Sequence, residues 1–296
     1  MCFVHFIVNC PVLPPGATSE SRRAIIAVPV LHDPESFRTV DQLGDRSRWL
    51  IVHVADPAAF AQAHLPDAQL VTPRELVLGT PPAPGRLPPQ EQIEHMLGRI
   101  GYRPDQHIVV YDDEGGGWAG RFGWTLDVIG HHDWGYIDGG IHALHQAGVP
   151  LTHGAPASVT PTAVRVSINQ DPIAEIPDIL SVLGAPDLVI LDARSHEEYI
   201  GVRVAAARAG HIPGAVNIDW LRFQDRNRQT RLVEGLESLL AANGVTRDKR
   251  VITHCQTHHR SGLTYMALRL LGFPQVKAYH GSWSEWGNRD DTPIER

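Results

Sequence analysis

Short, unbroken apolar runs recur along the chain. LIVHVAD ends at Asp56, and LVILDAR ends at Arg194. Both are rich in Val, Ile and Leu and show no polar alternation, as expected of strands buried on both faces. Two further runs, His107-Ile108-Val109-Val110-Tyr111-Asp112 and Arg250-Val251-Ile252-Thr253-His254-Cys255, have the same character. Between the runs lie stretches of helical spacing. From Ser261 onward, Leu263, Ala267, Leu270 and Leu271 fall on one helix face, and Gly272 and Pro274 follow as a stop signal. Strands alternating with helices predict an α/β fold, with a parallel sheet carrying helices on both faces.

The pattern occurs twice. His64-Leu65-Pro66-Asp67-Ala68 follows the first run of one half, and His211-Ile212-Pro213-Gly214-Ala215 follows that of the other. Each half later returns to a short strand with glycine, Gly139-Gly140 in one and Gly281 in the other. Copies of about 130 residues are whole domains rather than solenoid repeats. Between them LTHGAPASVTPTA, Leu151 to Ala163, is rich in Pro, Ser, Thr and Ala and reads as a linker. The expected organisation is an extension over 1–30, a first domain over 31–150, a linker over 151–162 and a second domain over 163–296. A length of 296 residues suits two domains, each able to bury a core.

Composition narrows the function. The net charge of −7 argues against a nucleic-acid partner. No run is apolar for the roughly 18 residues that a membrane span needs. The opening MCFVHFIVNCPVLPPG lacks the basic lead-in of a secretory signal. Three cysteines, Cys2, Cys10 and Cys255, do not make a disulfide framework. A reducing, cytoplasmic setting is therefore expected, with Cys255 a free thiol.

Cys255 stands where the last strand ends and a loop feeds a helix. In open α/β sheets ligands bind at that edge. Helix N-termini offer unpaired N–H groups and a partial positive charge, and Arg260 adds a full one. Such settings lower a cysteine pKa from about 8.5 to roughly 3.5–7.5, and they cradle an oxyanion or a persulfide. A lone cysteine is ordinarily a small buried hydrophobe. A loop of Gln256, Thr257, His258, His259 and Arg260 argues against that reading here.

CQTHHRS, a helix, and then GSWSEWGN over Gly281 to Asn288 resemble the tandem-domain rhodaneses, the thiosulfate sulfurtransferases. The resemblance runs from about residue 35 to the end, and is strongest to bacterial members with this histidine-containing loop. It implies two rhodanese domains, of which only the second is active. It implies Cys255 as the nucleophile, the loop Gln256 to Arg260 around it, and Arg194, in Asp192-Ala193-Arg194, as a further substrate-binding residue. It implies thiosulfate as donor, cyanide or a thiol or protein acceptor as recipient, and no cofactor. In the first half the repeat sets Asp112 against Cys255 and Asp56 against Arg194. Carboxylates there would repel a dianion, so that domain is expected to be inert and to shape the cleft. A monomer is expected, because each domain can cover the other's apolar face.

Three other readings stand beside this one. Protein tyrosine phosphatases and the cell-cycle phosphatases that share the fold have five residues between Cys and Arg. Four lie between Cys255 and Arg260, a tighter ring that suits one sulfur better than a phosphate. Relatives that use 3-mercaptopyruvate carry Gly and Ser after the cysteine, unlike this loop. A non-catalytic sulfur-sensing module would often have lost the cysteine. His258 and His259 are adjacent and lack partners at ligand spacing, so they are read as shaping the pocket rather than holding a metal. Trp220 and Trp283 are candidates for the site mouth or for interface packing, and His211 for a turn or core residue.

Overall fold

The computed structural model describes residues 29–37 and 48–296. Almost all of the stretch read as an extension, with Cys2 and Cys10, lies outside the described residues.

The first domain runs β1 (Val30–His32), β2 (Trp49–Val54), α1 (Pro57–Gln62), β3 (Gln69–Val71), α2 (Gln90–Arg99), β4 (His107–Asp112), α3 (Gly117–Val128), β5 (Trp134–Ile137) and α4 (Gly140–Gln146). Its five strands are ordered β1-β5-β4-β2-β3, and all neighbours are parallel. The central strands are apolar throughout because helices cover both faces. Phe60 of α1 and Leu144 of α4 pack on one face, and Met96 of α2 and Phe122 of α3 on the other.

The second domain runs α5 (Ile176–Val182), β6 (Leu188–Asp192), α6 (His196–Tyr199), β7 (Val216–Asn217), β8 (Gln224–Asp225), β9 (Arg231–Leu232), α7 (Leu236–Ala242), β10 (Arg250–His254), α8 (Arg260–Leu270), β11 (Val276–Ala278) and α9 (Ser282–Trp286). Its parallel sheet has the order β11-β10-β6-β7, and β8 and β9 form a separate antiparallel ribbon. The chain between α4 and α5 forms no helix or strand. It runs along the first domain, where the Thr162 N–H donates to the Gly98 carbonyl at 3.0 Å and the Asn169 N–H to the Val128 carbonyl at 2.8 Å. It meets the second sheet at its end, where the Ala278 N–H donates to the Pro172 carbonyl at 2.9 Å and Ile173 bridges to Ala278.

One hydrophobic cluster is continuous through both domains, from β2, β4 and α3 to α8 and β10. Its centre is the crossing of α3 on α8. A Cβ on Gly120 would stand 2.2 Å from the Gly262 carbonyl oxygen, and one on Gly262 would stand 2.5 Å from the Gly117 carbonyl oxygen. Only glycine permits that approach. The expected single apolar face of α8 gives way to a helix buried all round from Ser261 to Arg269, because its own sheet covers one side and α3 the other. Among the described residues no helix is long and apolar enough to cross a membrane.

Candidate active site

β10 delivers Cys255 to the carboxyl edge of the second sheet, 1 % exposed. The start of α9 braces it from below. The Trp283 N–H donates to the Cys255 carbonyl at 2.9 Å, and the Ser284 N–H to the Gln256 carbonyl at 3.0 Å. The Cys255 N–H donates to Ser282 Oγ at 3.4 Å. The Gly281-Ser282-Trp283 motif thus holds the backbone of the loop. His258 takes φ +57, in the left-handed region that few non-glycine residues enter. That turn curls the loop around the sulfur. The N–H groups of Ser261 and Thr257 and the Ser261 hydroxyl favour the anion at Cys255 Sγ. Burial pushes the thiol up, but the Arg260 charge and these donors outweigh it and hold the thiol below its usual range.

Arg260 reaches Cys255 by its field while its fork is held elsewhere. Nη1 and Nη2 donate to the two oxygens of Glu198 on α6, at 2.6 and 2.9 Å. Arg194 is deeply buried. Its Nη2 donates to Asp192 Oδ2 at 2.6 Å and to the Gly210 carbonyl at 2.9 Å, and its guanidinium lies 4.4 Å over the ring of Trp283. Trp283 is therefore a packing residue beneath Arg194. Trp220 instead stands at the loop, 5.5 Å from the His259 ring. Gln256 reaches sideways, with Nε2 donating to the Ala205 carbonyl at 2.9 Å. His211 stacks on Tyr199 at 3.7 Å and is a packing residue.

The two loop histidines face opposite ways. His258 is buried, with Nδ1 2.8 Å from Ser261 Oγ and its ring edge-on to Trp124 at 4.7 Å. Burial, with the nearby charge of Arg121, holds it well below the usual imidazole value, so it is neutral at neutral pH. His259 stacks on Trp118 at 4.4 Å, and its Nε2 lies 2.9 Å from Glu114 Oε2. Rings directed apart do not share a metal. Among the described residues no three His, Cys, Asp or Glu side chains are grouped to hold one.

The first domain, expected to be inert, contributes directly to the site. Glu114, Trp118, Arg121 and Trp124 all stand against the catalytic loop or one of its neighbours. Glu114, Trp118 and Arg121 lie in the stretch from Asp112 to Arg121, in the domain expected to be inert. The strand ladders also correct one equivalence. Asp112 pairs with Val54, and His254 pairs with Asp192, so Cys255 falls level with Ala193. The counterpart of Arg194 is then Ala55, and Asp56 matches Ser195. Both Asp56 and Ser195 are helix N-caps. The first domain lacks the arginine, but it does not put a carboxylate in its place.

Asp112, level with Cys255, fills its own cradle. Its carboxylate accepts the N–H groups of Gly116 at 2.8 Å, Ala119 at 2.9 Å and Glu114 at 3.2 Å. Burial raises this carboxyl above its usual range, and the three donors offset part of the rise. The donors that could hold an incoming anion are thus already satisfied. A cleft of about 1010 Å³ opens at the opposite edge of the second sheet, by Leu188 and Arg250, and does not include Cys255.

A family model described as Rhodanese-like domain matches residues 36–147 and again 177–289. The chain is 49 % identical over 246 residues to a thiosulfate sulfurtransferase of Azotobacter vinelandii, covering 83 % of this chain and 90 % of that protein. It is 47 % identical over 246 residues to a thiosulfate sulfurtransferase of Pseudomonas aeruginosa, with the same coverage. The crystal structure of YnjE superposes with a TM-score of 0.79 at 22 % identity, covering 90 % of this chain and 68 % of that one. At that identity the last likeness speaks for the fold alone.

Proposed function

The chain belongs to the rhodanese family, as two rhodanese-like domains in tandem, and from that premise we propose that it is a thiosulfate sulfurtransferase carrying sulfur on Cys255. The observation that carries the reading is a buried thiol at a strand edge, biased toward its anion by Arg260, Ser261 and Thr257. The equivalent position of the other domain is closed by a carboxylate.

The Cys255 thiolate attacks the outer sulfur of thiosulfate. A new S–S bond forms to Cys255 Sγ, the S–S bond within thiosulfate breaks, and sulfite leaves with the electron pair. Sulfite needs no proton, so the site requires no strong acid. Cyanide or a thiolate then attacks the terminal sulfur, and Cys255 departs as thiolate. This is double displacement through a covalent intermediate. The donors at Sγ stabilise the thiolate and the persulfide anion alike. Gln256, Thr257, His258, His259, Arg260 and Arg194 form and support the pocket. Arg260 and Arg194 supply positive charge toward the dianion while Glu198 and Asp192 fix their orientation.

The decisive experiment is a mass spectrum after thiosulfate treatment. We expect a gain of one sulfur atom, about 32 Da, on a free thiolate of this kind, together with thiosulfate:cyanide turnover. Cys255→Ala should lose both. A variant that keeps turnover would end the proposal. Rates on thiosulfate and 3-mercaptopyruvate, measured side by side, separate the two sulfur donors, and the Gln256-Thr257-His258-His259 loop favours thiosulfate. A phosphatase reading fits poorly, since the Arg260 fork that would grip a phosphate is engaged by Glu198.

A further inference from the structure

Arg121 of α3 is fully buried, at 0 % exposure. Among the described residues it has no carboxylate at ion-pair distance. Its Nη1 donates to the Gly85 carbonyl at 2.7 Å, and its Nη2 to the carbonyls of Leu76 at 2.7 Å and Arg86 at 3.2 Å. Its guanidinium lies 4.6 Å over the ring of Trp124, and Nε is buried without a partner. A buried cation without an anion is costly, and folds retain one where something compensates for it.

The surroundings identify the compensating group. His258 and His280 face Arg121 from the catalytic loop and from the end of β11, and burial holds both below the usual imidazole value. They supply no negative charge. Arg86, whose carbonyl accepts from Arg121, has its own fork committed to Glu175 at 2.6 Å and Glu285 at 2.7 Å. The Cys255 charge is the one that acts on Arg121 against burial, while the charge that leads at Cys255 is that of Arg260. Burial alone pushes the Arg121 guanidinium down, and the Cys255 charge opposes that, leaving it at about 9. On its own side Cys255 is faced by Arg260, which is held by Glu198, while the His254 ring, which burial keeps neutral, lies 3.3 Å from the Cys255 carbonyl.

The second line of support is mechanical. The segment 76–86 that Arg121 ties down abuts the catalytic loop directly. A Cβ on Gly85 would stand 2.1 Å from the Thr257 carbonyl oxygen and 2.7 Å from Thr257 Cα. The Thr257 N–H is one of the groups that favour the Cys255 anion.

We propose that Arg121 is a positioning residue for sulfur transfer, contributed by the domain that carries no nucleophile. It faces the Cys255 anion with a buried positive charge and holds the 76–86 segment against Thr257. The active loop is then complete only with the first domain docked on it.

The test uses the full chain with Arg121→Met and Arg121→Lys. Iodoacetamide alkylation is followed against pH and read on the Cys255 peptide by mass spectrometry, since Cys2 and Cys10 are also present. In R121M the acid limb of alkylation should move up by about one pH unit, and turnover should fall about tenfold, one unit being a factor of ten. R121K keeps the charge but loses the fork, so it should keep the wild-type limb with turnover reduced several-fold. A folded R121M with an unshifted limb overturns the proposal. If R121M does not fold, R121K decides alone: a wild-type limb with reduced turnover supports the proposal, and wild-type turnover or a displaced limb overturns it. The turnover arm rests on the sulfurtransferase reading. Alkylation needs no sulfur donor, so failure of that reading would leave the limb to be measured.

Discussion

At the scale of single residues the chemistry rests on the balance around Cys255 Sγ. Burial disfavours the thiolate, while Arg260, Ser261 and Thr257 favour it and prevail. A thiol held below its usual range stays reactive until pH falls through that lowered value. Arg260→Gln should therefore move the acid limb of Cys255 alkylation to higher pH. Interactions with a charged group are worth about 1.5–3 kcal/mol, so kcat/KM for thiosulfate should fall by roughly 10- to 100-fold. Stopped-flow kinetics across pH would check both. Cys255 and Arg260 are legible in the sequence because four residues of one loop carry the relation. Glu198, which orients Arg260 from 62 residues away, leaves no such local trace.

At the scale of elements the informative pair is α3 and α8. The spacing of Leu263, Ala267, Leu270 and Leu271 reads as a helix with one buried face. The structure buries α8 nearly all round, because the second domain cannot cover both sides by itself. A hydrophobic pattern records that a face is covered, not by which element. The contact depends on Gly120 and Gly262, where an added methyl meets backbone rather than a movable side chain. Gly262→Ala should lower stability by about 1–3 kcal/mol, the usual range for overpacking, visible as a fall in Tm. It should also slow sulfur transfer, since α8 begins at Arg260. An unchanged Tm would show that the helices can part without cost.

At the scale of the whole molecule the domains are joined by polar anchors as well as apolar packing. Asp127 of α3 is buried and accepts from Trp134 Nε1 at 3.1 Å within its own domain. It also accepts from Tyr265 Oη at 2.8 Å and Arg269 Nε at 3.0 Å on α8. His132 Nδ1 lies 3.0 Å away on the solvent side. Burial works against this carboxylate, but His132, Arg269 and the other donors outweigh it and hold Asp127 below the usual range. Its contribution to stability is thus fully present above the ordinary carboxylate pKa and is lost as pH falls through the lowered folded value. Asp127→Ala leaves Arg269 without this anion and should cost about 3–5 kcal/mol. Asp127→Asn should be less stable at neutral pH and should flatten the acid limb of the unfolding profile, measured by denaturant titration at several pH values.

The sequence by itself determined the strands, the duplication and the thiol loop, because each is written in neighbouring residues: an apolar run, a repeated His-x-Pro turn, a Cys followed by His, His and Arg. Tertiary structure alone decided how the halves correspond residue by residue. A strand buried on both faces is apolar at every position, so LIVHVAD and LVILDAR can be slid by one residue without penalty to the pattern. With Asp112 set against Cys255, the registers of the two ladders match Ala55, not Asp56, to Arg194. The same is true of Arg121. Its side chain acts across a boundary between domains, on groups far away in the chain, and a buried cation is distinguished from a solvated one by what surrounds it, which no local pattern contains.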